Sequence, residues 1–214
     1  VLAITALLIQ FLSPNIADPD AFYHFRHASQ MRTEGMFNSE FPWAQFSQIK
    51  EKGADLWYGF HVALIPFTLL PNETGAIKLA AACEAFITLL LLLHALRLLK
   101  VRHAFWWVLL FVIATPDMPF RLAMLRPHVL SLGLGAWLFA SLIRNSLPQA
   151  AVAALLFSAL HISVAWIPLT IIGVVLIAQV IARTHLQWRT ALAALVGLVA
   201  GILARPNPMG ALQL

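Results

Sequence analysis

Asp18 and Asp20 flank Pro19 just after the first apolar run. Carboxylates at that spacing can hold a hard divalent cation through oxygen, and one of them can act as general base toward a hydroxyl. The same residues also read as a helix start, with Asp18 as cap, Pro19 at the first helical position and Asp20 in the first turn, where the helix dipole favours an acid. The readings are compatible, because a capping carboxylate can turn its second oxygen into a site. Asp20, His24 and His27 recur at i, i+4 and i+7, so they share one face of a helix expected over residues 19–33 and ended by Gly35. A metal-ligand stripe and a row of wet interfacial histidines both fit that face. Asp55 and His61, six apart across an aromatic stretch, either line a cleft or mark where the chain re-enters an interface. Arg121, Arg126 and His128 cluster farther on. Paired guanidinium forks suit a phosphate, and arginines at helix ends equally contact lipid headgroups.

The surrounding chain sets the class. Of 214 residues, 61% are hydrophobic and 11% charged, far from the roughly 25% charged residues of a soluble domain. Apolar runs separated by short basic or proline-containing breaks are the pattern of a polytopic helical membrane protein. The net charge of +5 is scattered among the breaks and gives no case for nucleic acid. The single cysteine, Cys83, allows no intrachain disulfide. No P-loop, dinucleotide turn, Cys/His zinc pattern or HExxH is present. The run over 1–12 is short for a span and has no basic leader, so we expect a truncated first crossing and a chain that is a piece of a longer protein.

Crossings are expected over 76–99, 104–115, 129–143, 150–163, 165–182 and 191–204, seven with the first. The expected architecture is one all-α transmembrane bundle over 1–214. Residues 13–75 form its outer loop, with an irregular stretch at 36–55 around Pro42 and Trp43, and 56–70 lies along the interface without crossing. Arg97, Lys100, Arg102, Arg144, Arg183 and Arg189 then fall on one side with no acid among them, as the positive-inside rule asks. The Asp18 loop, Arg121, Arg126, His128, His161 and Arg205 fall on the other side. Glu84, deep in the 76–99 segment, is expected to be structural, paired with a histidine or arginine or reaching toward the outer end. His94 and His103 read as interface residues.

An acid-x-acid pair continuing as DPDAFYHFRHA, with His24 and Arg26 in its aromatic-His-x-Arg tail, resembles the polyprenyl-linked sugar transferases of the GT-C class. The nearest likeness is to the catalytic subunits of oligosaccharyltransferases. The later order is similar too: an amphipathic LWYGFHVALIPF helix, a proline-containing outer loop, and a helix junction with His161, Trp166 and Pro168. Bacterial membrane proteins with DPD…YH and RPH are also similar. The likeness in layout covers the whole chain, and residue matches are confined to 18–28 and a few loop positions. It implies an inner-membrane enzyme with Asp18 and Asp20 at an outward-facing catalytic centre and a polyprenyl (di)phosphate-linked sugar as donor. The acceptor, protein or glycan, stays undefined. The family's acidic metal ligands in the second outer loop are missing from RLAMLRPH, where Asp117 is the only acid nearby. Mg²⁺ or Mn²⁺ on Asp18 and Asp20 and a metal-independent mechanism with Arg126 in its place both remain open. On this reading Asp20 and Arg126 face one cleft across the donor without touching, and His24, Arg26, Asp55, His61, Arg121, Arg126, His128 and His161 contact substrate. A transporter or lipid flippase is the competing class, although it would place polar groups at mid-membrane. A non-catalytic scaffold would leave the acid and arginine clusters unexplained.

Overall fold

A computed structural model describes residues 1–37, 41–42 and 44–214, and the described residues are helical with no strand among them. Trp43 lies outside them. Helix α1 (Leu2–Phe11) packs on α5 (Glu73–Leu98), the longest helix. Asn72 accepts the Gly75 N–H at 3.2 Å and so caps α5. Ala- and Leu-rich sequence, favourable to helix, carries it to Leu98. Buried Lys78 donates to the Ser13 carbonyl, tying the link after α1 to α5.

The chain then enters α2 (Asp20–Glu34), α3 (Gln48–Lys52) and α4 (Tyr58–Leu64), the last continuing as a 3₁₀ turn over Ile65–Leu69. Helix α2 starts one residue later than expected, and the irregular 36–55 stretch contains α3, capped by the Ser47 hydroxyl. Helices α2 and α4 cross one end of the bundle, where Ala21, Phe25, Phe60 and Leu64 bury against Ala76, Ile77 and Ala80 of α5. The 58–69 unit is too short to span a bilayer.

The crossing expected over 104–115 is shorter. Helix α6 (Ala104–Ile113) breaks and turns by 96° into α7 (Asp117–Ala123). The expected polar turn is therefore itself helical, because Pro116 fixes the entry and Asp117 pairs with Arg121 one turn on. Helices α8 (Pro127–Ile143), α9 (Leu147–Leu160), α10 (Trp166–Ile181, after a 3₁₀ turn at Ile162–Val164), α11 (Trp188–Leu203) and α12 (Pro208–Leu212) complete the chain.

The tightest pair is α9 with α11. A Cβ on Gly197 would sit 2.1 Å from the Ala151 carbonyl oxygen, and one on Gly201 2.2 Å from that of Leu155. Glycines four apart let the backbones meet as in a small-xxx-small contact, with Ala150, Ala153, Ala154 and Ala194 filling the seam. At the end away from α2, His94 and Trp137 share Gln149, and Thr190 donates to Asn145.

Among the described residues, two helical stretches are long and apolar enough to cross a membrane, Glu73–Leu98 and Ile162–Ile181, and the bent α6–α7 pair makes a third if counted as one span. Seven crossings are not reached on length. Helix α9, with 14 residues, is about 21 Å long, short of a hydrocarbon core of about 30 Å. The outward surface is nonetheless apolar: Trp166, Leu169, Val174, Ile177 and Val180 of α10 are exposed. A contiguous apolar face of this kind fits lipid contact.

Candidate functional site

At the α2 end of the bundle, Arg126 reaches back across 108 residues to the acid pair. Its Nη2 lies 2.8 Å from Asp18 Oδ1 and 2.6 Å from Asp20 Oδ2, and its Nε donates to Asp18 Oδ2. The extended backbone of Met124 and Arg126 between α7 and α8 carries the guanidinium to that place. Asp18 is buried, whereas the Asp20 side chain is about half exposed at 55%. Asp18 Oδ1 also accepts the Asp20 N–H at 3.2 Å, so the start of α2 and the ion pair share one carboxylate. Burial pushes the Asp18 carboxyl up, but the Arg126 hydrogen bond and charge and the Asp20 amide together hold it below its ordinary value. The expectation that Asp20 and Arg126 stand apart across a donor is corrected: they are in direct contact. With both acids on one guanidinium, Arg126 occupies the position between them that a shared divalent cation would need.

Below the pair, α2 turns His24 and His27 inward. Both are buried, against the alternative of wet interfacial histidines. His24 Nδ1 lies 2.9 Å from His61 Nε2, and His61 Nδ1 lies 2.7 Å from Asp55 Oδ2. His27 Nε2 approaches the same oxygen at 3.5 Å and its ring stacks on Phe41 at 4.4 Å. Asp55 Oδ1 accepts the Trp57 N–H at 2.8 Å, so the turn into α4 fixes the carboxylate. Burial raises the Asp55 carboxyl, but His61 and His27 outweigh it and the group is held well below its usual range. Burial drives His61 and His24 the other way, toward neutral imidazole, and for His24 the neighbouring His61 adds to it.

Arg205, after α11, closes this cluster from behind. Its Nη1 donates to the Asp55 and Leu56 carbonyls at 3.1 and 3.2 Å, and its Nη2 to Ser158 and Ala159 at the end of α9. Burial pulls the guanidinium down to about 10, against the opposing pull of Asp55. Among the described residues, His27, Asp55 and His61 form the group that could hold a metal ion, with ligand atoms within 4.8 Å of one another. Their donor set of two imidazoles and a carboxylate suits zinc. The 2.7 Å His61–Asp55 separation is nevertheless a hydrogen-bond length.

Asp20, Tyr23, His24, Trp57, Arg126, His128 and His161 line a cavity of about 330 Å³, with Ile49 and Pro127. The Tyr23 hydroxyl and His128 Nε2 are buried there without a hydrogen-bond partner among the described residues, a state that native proteins rarely leave unanswered. His128 and His161 also line a second, mostly apolar groove of about 500 Å³ between α8 and α10, with Ser131, Gly135, Phe139 and Ile171. Ser131 Oγ lies 2.8 Å from His161 Nδ1 at the junction of the two spaces. A further cavity of about 660 Å³ between α5, α6 and α8 is hydrocarbon-lined and shares Ala136 and Phe139 with the groove.

Seven of the expected residues thus converge: Asp18, Asp20, His24, Asp55, His61, Arg126 and His128, with His161 beside them. Two do not. Arg26 is exposed and outside the cavity lining, since it lies two positions from His24 on α2. Arg121 is exposed and turned to Asp117 at 2.8 Å. Glu84 is buried in α5 against the backbone amides of Arg126 and Leu130 rather than a histidine or arginine side chain. Tyr23, Trp57 and Arg205 were not foreseen. Tyr23 and Trp57 neighbour singled-out residues, whereas no local pattern marks Arg205 as the partner of the 55–56 backbone.

No protein-family model matches the chain, and no curated protein or solved structure matches it either.

Proposed function

We propose that this chain is the membrane part of a GT-C-like glycosyltransferase that moves a sugar from a polyprenyl (di)phosphate carrier to an acceptor at the outer face of the inner membrane. The observation that carries the reading is that a charged cavity and an apolar groove between α8 and α10 share the His128 and His161 side chains as walls. A ligand with a phosphate head and a long hydrocarbon tail fits both halves. On this reading α1, α5, the α6–α7 pair, α8, α9, α10 and α11 are the seven membrane-embedded units, thinned around the short α9.

In the proposed reaction the acceptor hydroxyl lies against Asp20, which orients it. Its oxygen bonds to the sugar's anomeric carbon as the bond from that carbon to the phosphate oxygen breaks. The electron pair leaves on the phosphate, and Arg126, with His128 beside it, stabilises the developing charge. The positive charge comes from a guanidinium already seated between Asp18 and Asp20, which favours the metal-independent form. A lipid flippase is the second reading, favoured by the shared Ala136 and Phe139 linings that continue the groove along α8.

Native mass spectrometry of the protein in detergent with a C55 polyprenyl phosphate, a farnesyl phosphate and the C55 alcohol tests the reading. We expect both phosphates to bind and the alcohol to bind at least tenfold more weakly. Arg126→Gln should remove the preference for phosphate, and Ala136→Phe should weaken the C55 lipid while sparing the farnesyl one. Equal binding of alcohol and phosphate overturns the reading. Release of free polyprenyl phosphate from a sugar-linked lipid on adding acceptor separates transferase from flippase.

A further inference from the structure

The chain of contacts behind the cavity fixes where its protons sit. An ionised carboxylate only accepts hydrogen bonds, so the 2.7 Å contact to Asp55 Oδ2 places a proton on His61 Nδ1. A neutral His61 then presents a bare Nε2 to His24 Nδ1 at 2.9 Å. Two bare nitrogens cannot form a hydrogen bond at that distance, so His24 carries its proton on Nδ1 and donates it to His61 Nε2. The nitrogen left for the cavity, His24 Nε2, is a lone pair. It belongs to a ring that borders the same space as Asp20 and Arg126.

We propose that His24 is the group that takes the acceptor proton, and that His61 and Asp55 form a relay that moves the resulting charge away from the cavity. The proton leaves the acceptor O–H for His24 Nε2, and the electron pair stays on the acceptor oxygen. The His24 Nδ1 proton passes to His61 Nε2, and His61, now protonated on both nitrogens, stands against the Asp55 carboxylate. Each imidazole gains one proton and His24 gives one on, so His24 ends neutral and His61 holds the charge. The identity of the proton donor rests on the transferase reading, whereas the protonation pattern does not.

The surroundings make the relay necessary. Arg126 at the start of α8, His161 after α9 and the His61 ring itself all oppose a positive charge resting on His24, while Asp55 favours it from beneath. Asp20 and Tyr23 border the ring's cavity on α2, and His27 packs edge-on against His61. Charge on His61 is in direct contact with the Asp55 carboxylate. Trp57 and Phe60 pack edge-on against His24 at 5.2 Å each, holding its ring plane. Asp20 is less suited to be the base, because its carboxylate oxygen is already engaged by the Arg126 guanidinium at 2.6 Å.

Nitrogen-15 spectra of histidine-labelled wild-type protein in detergent micelles, assigned with single His→Gln variants, test the pattern without any substrate. We expect His24 and His61 both as neutral Nδ1–H tautomers at pH 7.5, with the His61 Nδ1 proton far downfield. A His24 Nε2–H tautomer, or a His61 Nδ1 without a proton, as a bound metal ion would give, overturns the proposal. With a transfer assay in hand, His24→Gln should lower turnover roughly 100-fold or more. Asp55→Asn should move the acid limb of the rate profile down by about one pH unit. If the tautomers are found and no polyprenyl-linked sugar is turned over, the transferase reading falls and the protonation pattern stands. If turnover is found and survives His24→Gln, the relay falls alone.

Discussion

Arg126 and Asp18 lie 108 residues apart in sequence, yet the guanidinium Nη2 is 2.8 Å from Asp18 Oδ1 and shares the same nitrogen with Asp20 Oδ2 at 2.6 Å. One side chain thus locks the start of α2 to the start of α8. Asp18 is buried and Arg126 is partly exposed, so removing the arginine leaves a buried acid without its cation.

Arg126→Gln should therefore cost about 2–3 kcal/mol, somewhat below the 3–5 kcal/mol of a fully buried broken pair. Arg126→Lys keeps the charge but cannot serve both acids through a fork, and should cost about half as much. Thermal melts in one detergent check the order. Equal stability of wild type and Arg126→Gln would remove the lock.

Asp20→Asn separates function from stability. Its carboxylate is about half exposed, and exposed ion pairs contribute about 0–1 kcal/mol, so the melting temperature should barely move. Transfer should fall by about 10²-fold if Asp20 orients the acceptor. A variant with normal turnover reduces the Asp20 contact to surface pairing.

Gly201→Ala tests the α9–α11 seam. The added methyl meets the Leu155 carbonyl at 2.2 Å and the Ser158 hydroxyl at 2.3 Å, so the helices must separate at a cost of about 1–3 kcal/mol. Gly173→Ala in α10, with nothing within 4 Å, should instead gain roughly 0.5–1 kcal/mol from helix propensity. Opposite shifts in melting temperature are the expected readout.

Stability should fall in acid in two stages. His24 and His61 have folded-state values below their unfolded one, so once pH drops under about 6.5 the unfolded chain binds protons that the folded chain refuses. Asp18 is also depressed. Its contribution is full above the unfolded value of about 3.9 and is lost as pH falls through the folded one. Melts at pH 8, 6.5, 5 and 4 should show the first decline by pH 5. A flat profile down to pH 4 would contradict a neutral buried histidine pair.

Gln48 in α3 is exposed and Ser146 before α9 is half-buried, and they lie at opposite ends of the bundle. In a Cys83→Ala background, Gln48→Cys should react with an impermeant thiol reagent added to whole cells, and Ser146→Cys should react only after lysis. The reverse pattern would invert the orientation expected from the basic turns.

The sequence alone determined what depends on nearest neighbours and on composition. Long apolar, charge-poor runs favour helices, which satisfy their own backbone in lipid, and the described residues are mostly helical with no strand among them. The i, i+4, i+7 spacing aligned Asp20, His24 and His27 on one face because helix geometry is local. The bend at Pro116, the exact span lengths and the GLVAG seam of α11 were present in the letters, but whether a run stops short or turns depends on what it packs against. Tertiary structure alone decided that Arg126 would close on both acids, that His24 would lean on His61, and that Arg205 would hold the Asp55 turn. Each of these contacts joins residues 37 to 150 positions apart. No periodicity encodes them, because they arise only when burying the small-residue seams of α5, α8, α9 and α11 brings those helix ends together.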